Sequence, residues 1–201
     1  MSERTDDGTA AGSREPGDGG PGGREPGGGG LGNRGVGNRG VGSRELAAQI
    51  VGLLGARHQT VAVAESLTGG LLGGAITAIP GASVVFRGGI IAYATELKAA
   101  LLGVPAELLA SYGPVHPDVA AAMAIGARDR LGATIGVATT GVAGPDPADG
   151  KPPGTVHIAV TASQVPVTRA LALDGGRDEV RRGTVEQALR LLWSVIWEEG
   201  P

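Results

Sequence analysis

The sequence predicts an α/β protein, a three-layer α/β/α sandwich with a mixed sheet. Short apolar runs rich in Val, Ile and Ala alternate with longer segments in which apolar residues recur at helical spacing. Two late runs are separated by only a short connection, which indicates an antiparallel pair beside strands that helices join. Strands interleaved with helices in this way favour helices packed on both faces of one sheet.

The composition fits one domain of ordinary size plus an appendage. The chain has 201 residues, of which 41% are apolar and only 2% are aromatic, so the core must consist of small aliphatic side chains. A net charge of −3 gives no reason to expect nucleic acid or an anionic membrane as a partner. There is no cysteine and no apolar run long enough to cross a bilayer. We therefore expect a cytoplasmic protein without disulfides or cysteine chemistry.

The first 43 residues differ in kind from the rest. Residues 1–43 contain 16 of the 38 glycines, and Arg-Glu-Pro-Gly and Asn-Arg-Gly-Val-Gly each occur twice. A segment with so few large apolar residues cannot bury enough surface to offset the entropy of ordering. The sequence therefore predicts a disordered Gly-rich tail over 1–43 and a folded domain over 44–201.

The first half of the domain alternates helices and strands. Ser43 is a suitable N-cap for the first helix, and Leu46, Ile50, Leu53 and Leu54 share one of its faces. Pro80 and Gly81 end the second helix, and Pro105 opens another at a first-turn position. The predicted elements are a helix over 44–57, a strand over 60–64, a helix over 67–78, a strand over 86–93, and helices over 95–103 and 105–111.

The second half begins with a helix that Pro117 opens. Val119, Met123 and Ala127 form the inner face of this helix. The last helix has a buried stripe of its own, formed by Val185, Ala188, Leu192 and Ile196. The predicted elements are a helix over 117–131, a strand over 133–139, a Gly/Pro/Asp-rich loop over 141–154, an antiparallel pair over 154–162 and 166–173, and a helix over 177–197.

The run from Glu65 to Gly70 (Glu-Ser-Leu-Thr-Gly-Gly) is the strongest chemical signal. It places the hydroxyl of Ser66 at the carboxyl end of a buried strand, where open α/β sheets place their ligand crevices. The glycines that follow let backbone N–H groups approach an anion. Ser66 is therefore a candidate nucleophile, and the N–H groups of Thr68, Gly69 and Gly70 are candidate oxyanion donors.

Lys98 and Tyr93 are candidates to activate this serine. Lys98 is one of two lysines in a chain with 15 arginines, and only lysine can lose its proton near neutral pH when desolvated. Tyr93 ends a predicted strand five residues earlier and could face the same crevice. The alternatives are a solvated helix position for Lys98 and a core-edge aromatic role for Tyr93. A site of Ser, Lys and Tyr would form a hydrolase without histidine.

Other catalytic sets are weakly supported. Ser66, His116 and Asp118 could form a triad on paper, but the Gly-x-Ser-x-Gly elbow is absent. The three histidines (His58, His116 and His157) lack zinc-ligand spacing. The glycines after Ser66 match neither a phosphate-binding P-loop nor a dinucleotide fingerprint. We therefore expect no metal and no organic cofactor.

Five motifs in order resemble those of the CinA C-terminal domain family, and together they span about residues 45–197. They are Ala-Glu-Ser-Leu-Thr-Gly-Gly (64–70), Gly-Gly-Ile-Ile-Ala-Tyr-Ala-Thr-Glu-Leu-Lys (88–98), Thr-Gly-Val-Ala-Gly-Pro (140–145), Lys-Pro-Pro-Gly-Thr-Val (151–156) and Arg-Asp-Glu-Val-Arg-Arg (177–182). Stand-alone members of this family are nicotinamide-nucleotide amidohydrolases. The resemblance implies hydrolysis of nicotinamide mononucleotide to nicotinate mononucleotide and ammonia, in the recycling of NAD.

The resemblance also implies roles for individual residues. Ser66 would be the nucleophile, and Tyr93 and Lys98 would activate it. The substrate would contact Thr140 with the adjoining Gly141, and Arg182 would meet its charge. The chain departs from the family in its long tail, in Leu67 where a cysteine is common, and in His116 where a small polar residue is common.

Two other functions stay open at this stage. One is a catalytically weak nucleotide-binding module with a regulatory, competence-related role, and the other is a hydrolase of a different small amide or lactam. Retention of Ser66, Tyr93 and Lys98 favours the enzyme, because a binding pocket needs no activated serine. The expected partner is a small-molecule nucleotide, and a homodimer is a candidate assembly.

Overall fold

The structure, a computed structural model, describes residues 42–163 and 165–198. All but the last two residues of the predicted tail over 1–43 lie outside this range, as does Gln164 in the predicted turn. The described residues contain six α-helices and one short 3₁₀ turn at Ala82–Val84. The helices are α1 (Ser43–Ala56), α2 (Leu71–Thr77), α3 (Thr95–Leu102), α4 (Ala106–Tyr112), α5 (Pro117–Leu131) and α6 (Arg177–Glu198).

Five strands form one mixed sheet in the order β2-β1-β3-β4-β5. They are β1 (Val61–Glu65), β2 (Phe86–Ile91), β3 (Ile135–Gly141), β4 (Thr155–Thr161) and β5 (Val167–Ala172). Strand β1 pairs in parallel with both β2 and β3, whereas β3, β4 and β5 pair antiparallel in succession. The mixed sheet and the late antiparallel pair are confirmed.

The core is divided by the sheet into two clusters of different character. One cluster contains large aliphatic side chains from α1, α2 and α6, such as Ile50, Leu72 and Leu192. The other lies under α3 and α5 and consists mostly of alanines, with Val119 and Met123 among its few larger members. Helices thus cover both faces, which confirms the three-layer α/β/α sandwich.

Two helix starts differ from the sequence prediction. Helix α2 begins at Leu71 rather than at residue 67, because Gly69 and Gly70 adopt positive φ angles of 58° and 96° that an α-helix does not contain. Residues 66–70 therefore form a turn. The N-cap of α1 is Gly42 rather than Ser43, and the Glu45 carboxylate accepts its N–H at 2.6 Å.

Helix α5 lies unusually close to its neighbours because two glycines remove the intervening side chains. A Cβ built on Gly126 would lie 2.0 Å from the carbonyl oxygen of Leu102 at the end of α3. A Cβ on Gly136 of β3 would lie 2.0 Å from the carbonyl oxygen of Ala124 in α5. Backbone therefore packs against backbone on this face, where α5 approaches both the end of α3 and strand β3.

None of the helices in the described part of the chain has the length and hydropathy needed to span a membrane.

The close packing of α5 predicts opposite effects for one substitution at two helical glycines. Gly126→Ala should destabilise the fold by about 1–3 kcal/mol, since the new methyl group overlaps backbone that cannot move alone. Gly52→Ala should instead stabilise it by about 0.5–1 kcal/mol, because this glycine is exposed within α1 with nothing within 4 Å of an added Cβ. Urea unfolding of both variants measures the difference. A Gly126→Ala protein as stable as the wild type would contradict this account of the packing.

Candidate active site

Ser66 is the first residue after β1, at the carboxyl end of three parallel strands. Its N–H donates to the carbonyl of Thr139 in β3 at 3.0 Å, which continues the parallel ladder by one residue. On the other side, the N–H of Ala92 donates to the carbonyl of Glu65 at 2.8 Å. The serine is thus fixed between two neighbouring strand ends, where a crevice opens in sheets of this kind.

The side chain of Glu65 joins β1 to the start of α2. Its carboxylate is 1% exposed and accepts three backbone N–H groups, from Gly70 at 2.9 Å, Leu72 at 3.1 Å and Gly73 at 2.8 Å. Backbone N–H groups at a helix start are free to bind an anion, and hydrogen bonds to a charged acceptor are among the stronger ones. Glu65 therefore fixes both ends of the turn that contains Ser66.

This arrangement changes which N–H groups can meet an oxyanion. The N–H of Gly70 is bound by Glu65, and that of Gly69 donates to the carbonyl of Ser66 at 3.1 Å, so two of the three expected donors are already used. Within the described residues, the N–H groups of Leu67 and Thr68 donate to no protein acceptor. The Thr68 hydroxyl is buried against that of Thr139 at 2.8 Å.

The side chain of Lys98, on α3, extends to the hydroxyl of Ser66. Its Nζ lies 3.2 Å from Ser66 Oγ and donates to the carbonyl of Ala92 at 2.9 Å. The lysine is 1% exposed, so the alternative of a solvated helix position is wrong. Burial lowers the pKa of Lys98 from 10.5 to about 8, against the opposing effects of the negative charges of Asp149 and Glu96. A neutral amine is therefore accessible near physiological pH.

Tyr93 lies at the mouth of the site rather than beside the serine. Its side chain is exposed, and its hydroxyl accepts a hydrogen bond from Arg177 Nη2 at 2.9 Å. The same guanidinium donates through Nη1 to the carbonyl of Gly144 at 2.7 Å. Among the described residues, Lys98 is the only side chain that hydrogen-bonds Ser66 Oγ. Tyr93 and Arg177 thus form a contact across the opening.

These groups surround a pocket of about 150 Å³. Five predicted site residues line it, namely Ser66, Tyr93, Lys98, Thr140 and Gly141. The other four do not line it, namely Thr68, Gly69, Gly70 and Arg182. The Thr140 hydroxyl donates to the carbonyl of Pro114 at 2.7 Å, which leaves its oxygen lone pairs free. Arg182 donates to the carbonyl of Asp178 at 3.0 Å and borders a separate depression beside Leu71 and Val185.

The pocket wall contains two charged residues that the sequence reasoning did not assign, Arg177 and Asp149. Asp149 lies in the loop between β3 and β4 and has a φ of 51°, uncommon for a residue with a side chain. With the amine of Lys98, the pocket therefore presents basic and acidic groups to a ligand.

The histidines His116 and His157 do not take part in the arrangement around Ser66. Nδ1 of His116 accepts the N–H of Asp118 at 3.2 Å and caps α5, while its ring stacks on Tyr112 at 4.4 Å. A triad of Ser66, His116 and Asp118 is therefore not formed. Burial lowers the pKa of His157, which lies on β4. Within residues 42–163 and 165–198, no group of three or more His, Asp or Glu side chains could hold a metal ion.

Comparison with known proteins identifies relatives of this domain. A CinA-like protein from Frankia casuarinae is 53% identical over 151 residues, which are 75% of this chain and 35% of the relative. A CinA-like protein from Anaeromyxobacter dehalogenans is 49% identical over 149 residues, or 74% of this chain and 36% of the relative. The chain thus spans about a third of the length of these curated relatives.

Solved structures show the same fold. The competence/damage inducible protein CihA from Agrobacterium tumefaciens superimposes with a TM-score of 0.73 at 38% identity, covering 77% of this chain and 96% of the other. A competence-damaged protein (CinA) superfamily protein from Enterobacter cloacae gives a TM-score of 0.77 at 26% identity, covering 79% and 94%. The model of the CinA C-terminal domain matches residues 43–196, nearly the whole described domain. The chain therefore belongs to the CinA C-terminal domain family.

Proposed function

We propose that this protein hydrolyses the carboxamide of nicotinamide mononucleotide, giving nicotinate mononucleotide and ammonia. The observation that carries the proposal is the buried pair of Ser66 and Lys98, with Oγ and Nζ 3.2 Å apart in the wall of a pocket. Burying an ammonium group is costly, and a buried lysine with a lowered pKa in a pocket wall is therefore a candidate for catalysis. A neutral lysine beside a serine hydroxyl is a way to activate a nucleophile without histidine.

In the first half of the reaction, neutral Lys98 accepts the proton of Ser66 as Oγ attacks the amide carbon. The Oγ–C bond forms, and the carbonyl oxygen becomes an oxyanion that the free N–H groups of Leu67 and Thr68 are suited to stabilise. The Lys98 ammonium then gives its proton to the amide nitrogen. The C–N bond breaks, ammonia leaves, and an ester on Ser66 remains.

The second half repeats these steps with water. Lys98, neutral again, accepts a proton from a water molecule as the water oxygen attacks the ester carbon. Collapse of this second oxyanion breaks the Oγ–C bond, and the ammonium of Lys98 returns its proton to Ser66 Oγ. The acid product leaves, and both side chains are restored to their starting states. Lys98 carries the proton in each of these transfers, and water is the co-reactant that the hydrolysis consumes.

The size and charge of the pocket are consistent with this substrate. At about 150 Å³ it is smaller than the roughly 300–1,000 Å³ of pockets that enclose a drug-sized ligand. It therefore suits the ring that bears the carboxamide, with the ribose and phosphate nearer the opening. The guanidinium of Arg177 lies at that opening and is a better placed cation for the phosphate than Arg182.

A second candidate function is that of a regulatory nucleotide-binding module with little turnover. It accords with the description of a relative as competence/damage inducible. Such a module would bind nicotinamide mononucleotide without releasing ammonia. A hydrolase of another small amide or lactam would be inactive on this nucleotide and active on its own substrate. Assay of ammonia release by the purified protein separates these functions.

Substitution of the buried pair tests the chemical roles. Ser66→Ala should abolish ammonia release and keep nucleotide affinity, because only a hydroxyl is lost. Lys98→Met should lower turnover by about 10²–10⁴-fold, since it retains the shape of the side chain but cannot accept a proton. Lys98→Arg should fail similarly, as a guanidinium stays protonated. Turnover and nucleotide affinity are measured for each variant.

The matched control is Lys151→Arg, which changes the chain's other lysine outside the pocket and should leave turnover unchanged. An active Ser66→Ala protein would end the covalent mechanism. An active Lys98→Met or Lys98→Arg protein would remove Lys98 from the role of base.

The lowered pKa of Lys98 predicts a pH profile. Only the neutral amine accepts the serine proton, so kcat/KM should rise with pH and level off above about 8. Asp149→Asn removes a negative charge that favours the ammonium, so it should move this rise to lower pH. Asp146→Asn, in an exposed position of the same loop, should leave the profile in place. A rise that moved to higher pH in Asp149→Asn would contradict the assignment of the titration to Lys98.

A further inference from the structure

Arg181 binds carbonyl groups of the turn over residues 66–70, whereas Glu65 accepts N–H groups at the end of this turn and the start of α2. Arg181 lies on α6, and its guanidinium donates through Nε to the carbonyl of Leu67 and through Nη2 to the carbonyl of Thr68, both at 3.1 Å. Its Nη1 lies 3.6 Å from the carboxylate of Asp178, and its side chain is 25% exposed. The planar fork of arginine suits two acceptors held in this way.

The turn needs such a restraint because its own backbone is permissive. Gly69 and Gly70 both have positive φ angles, and glycine has the widest choice of backbone conformations. Glu65 fixes the helix side of the turn through the N–H groups of Gly70, Leu72 and Gly73. None of these bonds orients the peptide between Leu67 and Thr68.

The contact with Arg181 orients that peptide. In a trans peptide, the C=O of one residue and the N–H of the next point in opposite directions. By holding the Leu67 carbonyl, Arg181 therefore directs the N–H of Thr68 away from itself. This N–H is one of the two near Ser66 that have no protein acceptor among the described residues. A donor that is both free and fixed is what stabilisation of a developing oxyanion requires.

We propose that Arg181 is a positioning residue, which fixes the turn so that the backbone N–H of Thr68 is aimed at the oxyanion formed when Ser66 attacks. The role rests on the proposed serine chemistry. Neither Arg181 nor Thr68 lines the pocket, whereas Leu67, whose carbonyl Arg181 binds, does line it. Arg181 therefore acts through the peptide that joins Leu67 to Thr68 rather than on the substrate. Its loss should therefore lower kcat and leave KM nearly unchanged, the pattern of an interaction made only in the transition state.

The test compares Arg181→Ala with Arg190→Ala, using nicotinamide mononucleotide as substrate. Arg190 lies on the same helix, and within the described part of the chain its guanidinium pairs only with Glu186, four residues before it. We expect kcat of Arg181→Ala to fall about 10²–10³-fold, the usual effect of losing one oxyanion donor, with KM within about threefold of wild type. Added guanidinium ion, at concentrations that do not unfold the protein, should restore part of this loss, whereas urea should not. Arg190→Ala should behave as wild type.

Three results would overturn the proposal. Unchanged kcat in Arg181→Ala would show that the turn needs no restraint from α6. A rise in KM at constant kcat would make Arg181 a substrate-binding residue. A fall in kcat with a large drop in melting temperature, and no recovery with guanidinium, would make its role merely structural.

A second measurement separates this proposal from the choice of substrate. A fluorophosphonate reacts with an activated serine through a transition state that also places negative charge on an oxygen. We expect it to label wild type faster than Arg181→Ala, and to leave Ser66→Ala unlabelled. If wild type released no ammonia from the nucleotide, slower labelling of Arg181→Ala would still support the positioning role, and equal labelling rates would overturn it.

Discussion

The site depends on one buried carboxylate, that of Glu65. Burying a carboxylate away from water is strongly unfavourable unless the group is hydrogen-bonded. Glu65 accepts three N–H groups from the start of α2, which meets this requirement. The chain between the strand and the helix is therefore closed into one compact turn. Ser66 is the next residue along the chain, so its position follows from this closed turn together with the bond from its own N–H to the carbonyl of Thr139. The candidate nucleophile is thus held by backbone contacts rather than by its own side chain.

The position and burial of the Lys98 amine depend on a different constraint, the close packing of the alanine-rich layer. Gly126 lets α5 approach the end of α3, and Gly136 lets α5 approach β3. Helix α3, which contains Lys98, packs against α5 at the first of these contacts, and the Lys98 side chain extends from α3 to Ser66 Oγ. The apolar surroundings that fill this layer also desolvate the amine and lower its pKa. The packing that places Lys98 beside Ser66 therefore also lowers the pKa of its amine.

Much of the fold and part of the site follow from local sequence patterns. Alternating strand and helix periodicity gave the three layers, and the burial of Val185, Ala188, Leu192 and Ile196 along α6 was predicted from their spacing. Five of the nine predicted site residues line one pocket, because most of them lie at or near strand ends that parallel pairing brings together. The start of α2 was misplaced because positive φ angles at a glycine pair cannot be read from glycine content alone.

The position of each arginine around the axis of α6 distinguishes the arginines of this helix. Arg181 precedes Val185 by four residues and falls within the arc of the helix that Val185, Ala188, Leu192 and Ile196 occupy, whereas Arg182 is rotated about 100° away from Arg181 and falls outside this arc. The helix phase therefore favoured Arg181 over Arg182 for a contact with the turn. Asp149 offers no comparable signal, since its place in the pocket wall depends on the path of an irregular loop.

The backbone contacts of α5 have a consequence for how a ligand reaches the serine. With no side chains between α5 and its neighbours at Gly126 and Gly136, these layers cannot part or slide without losing contact over much of the interface. The facing wall is less tightly packed, since Asp149 is exposed and the exposed side chains of Tyr93 and Arg177 meet there through one hydrogen bond. The candidate pair of Ser66 and Lys98 thus lies beside the tightly packed layer, and we expect movements that admit or release a ligand to occur in the facing wall.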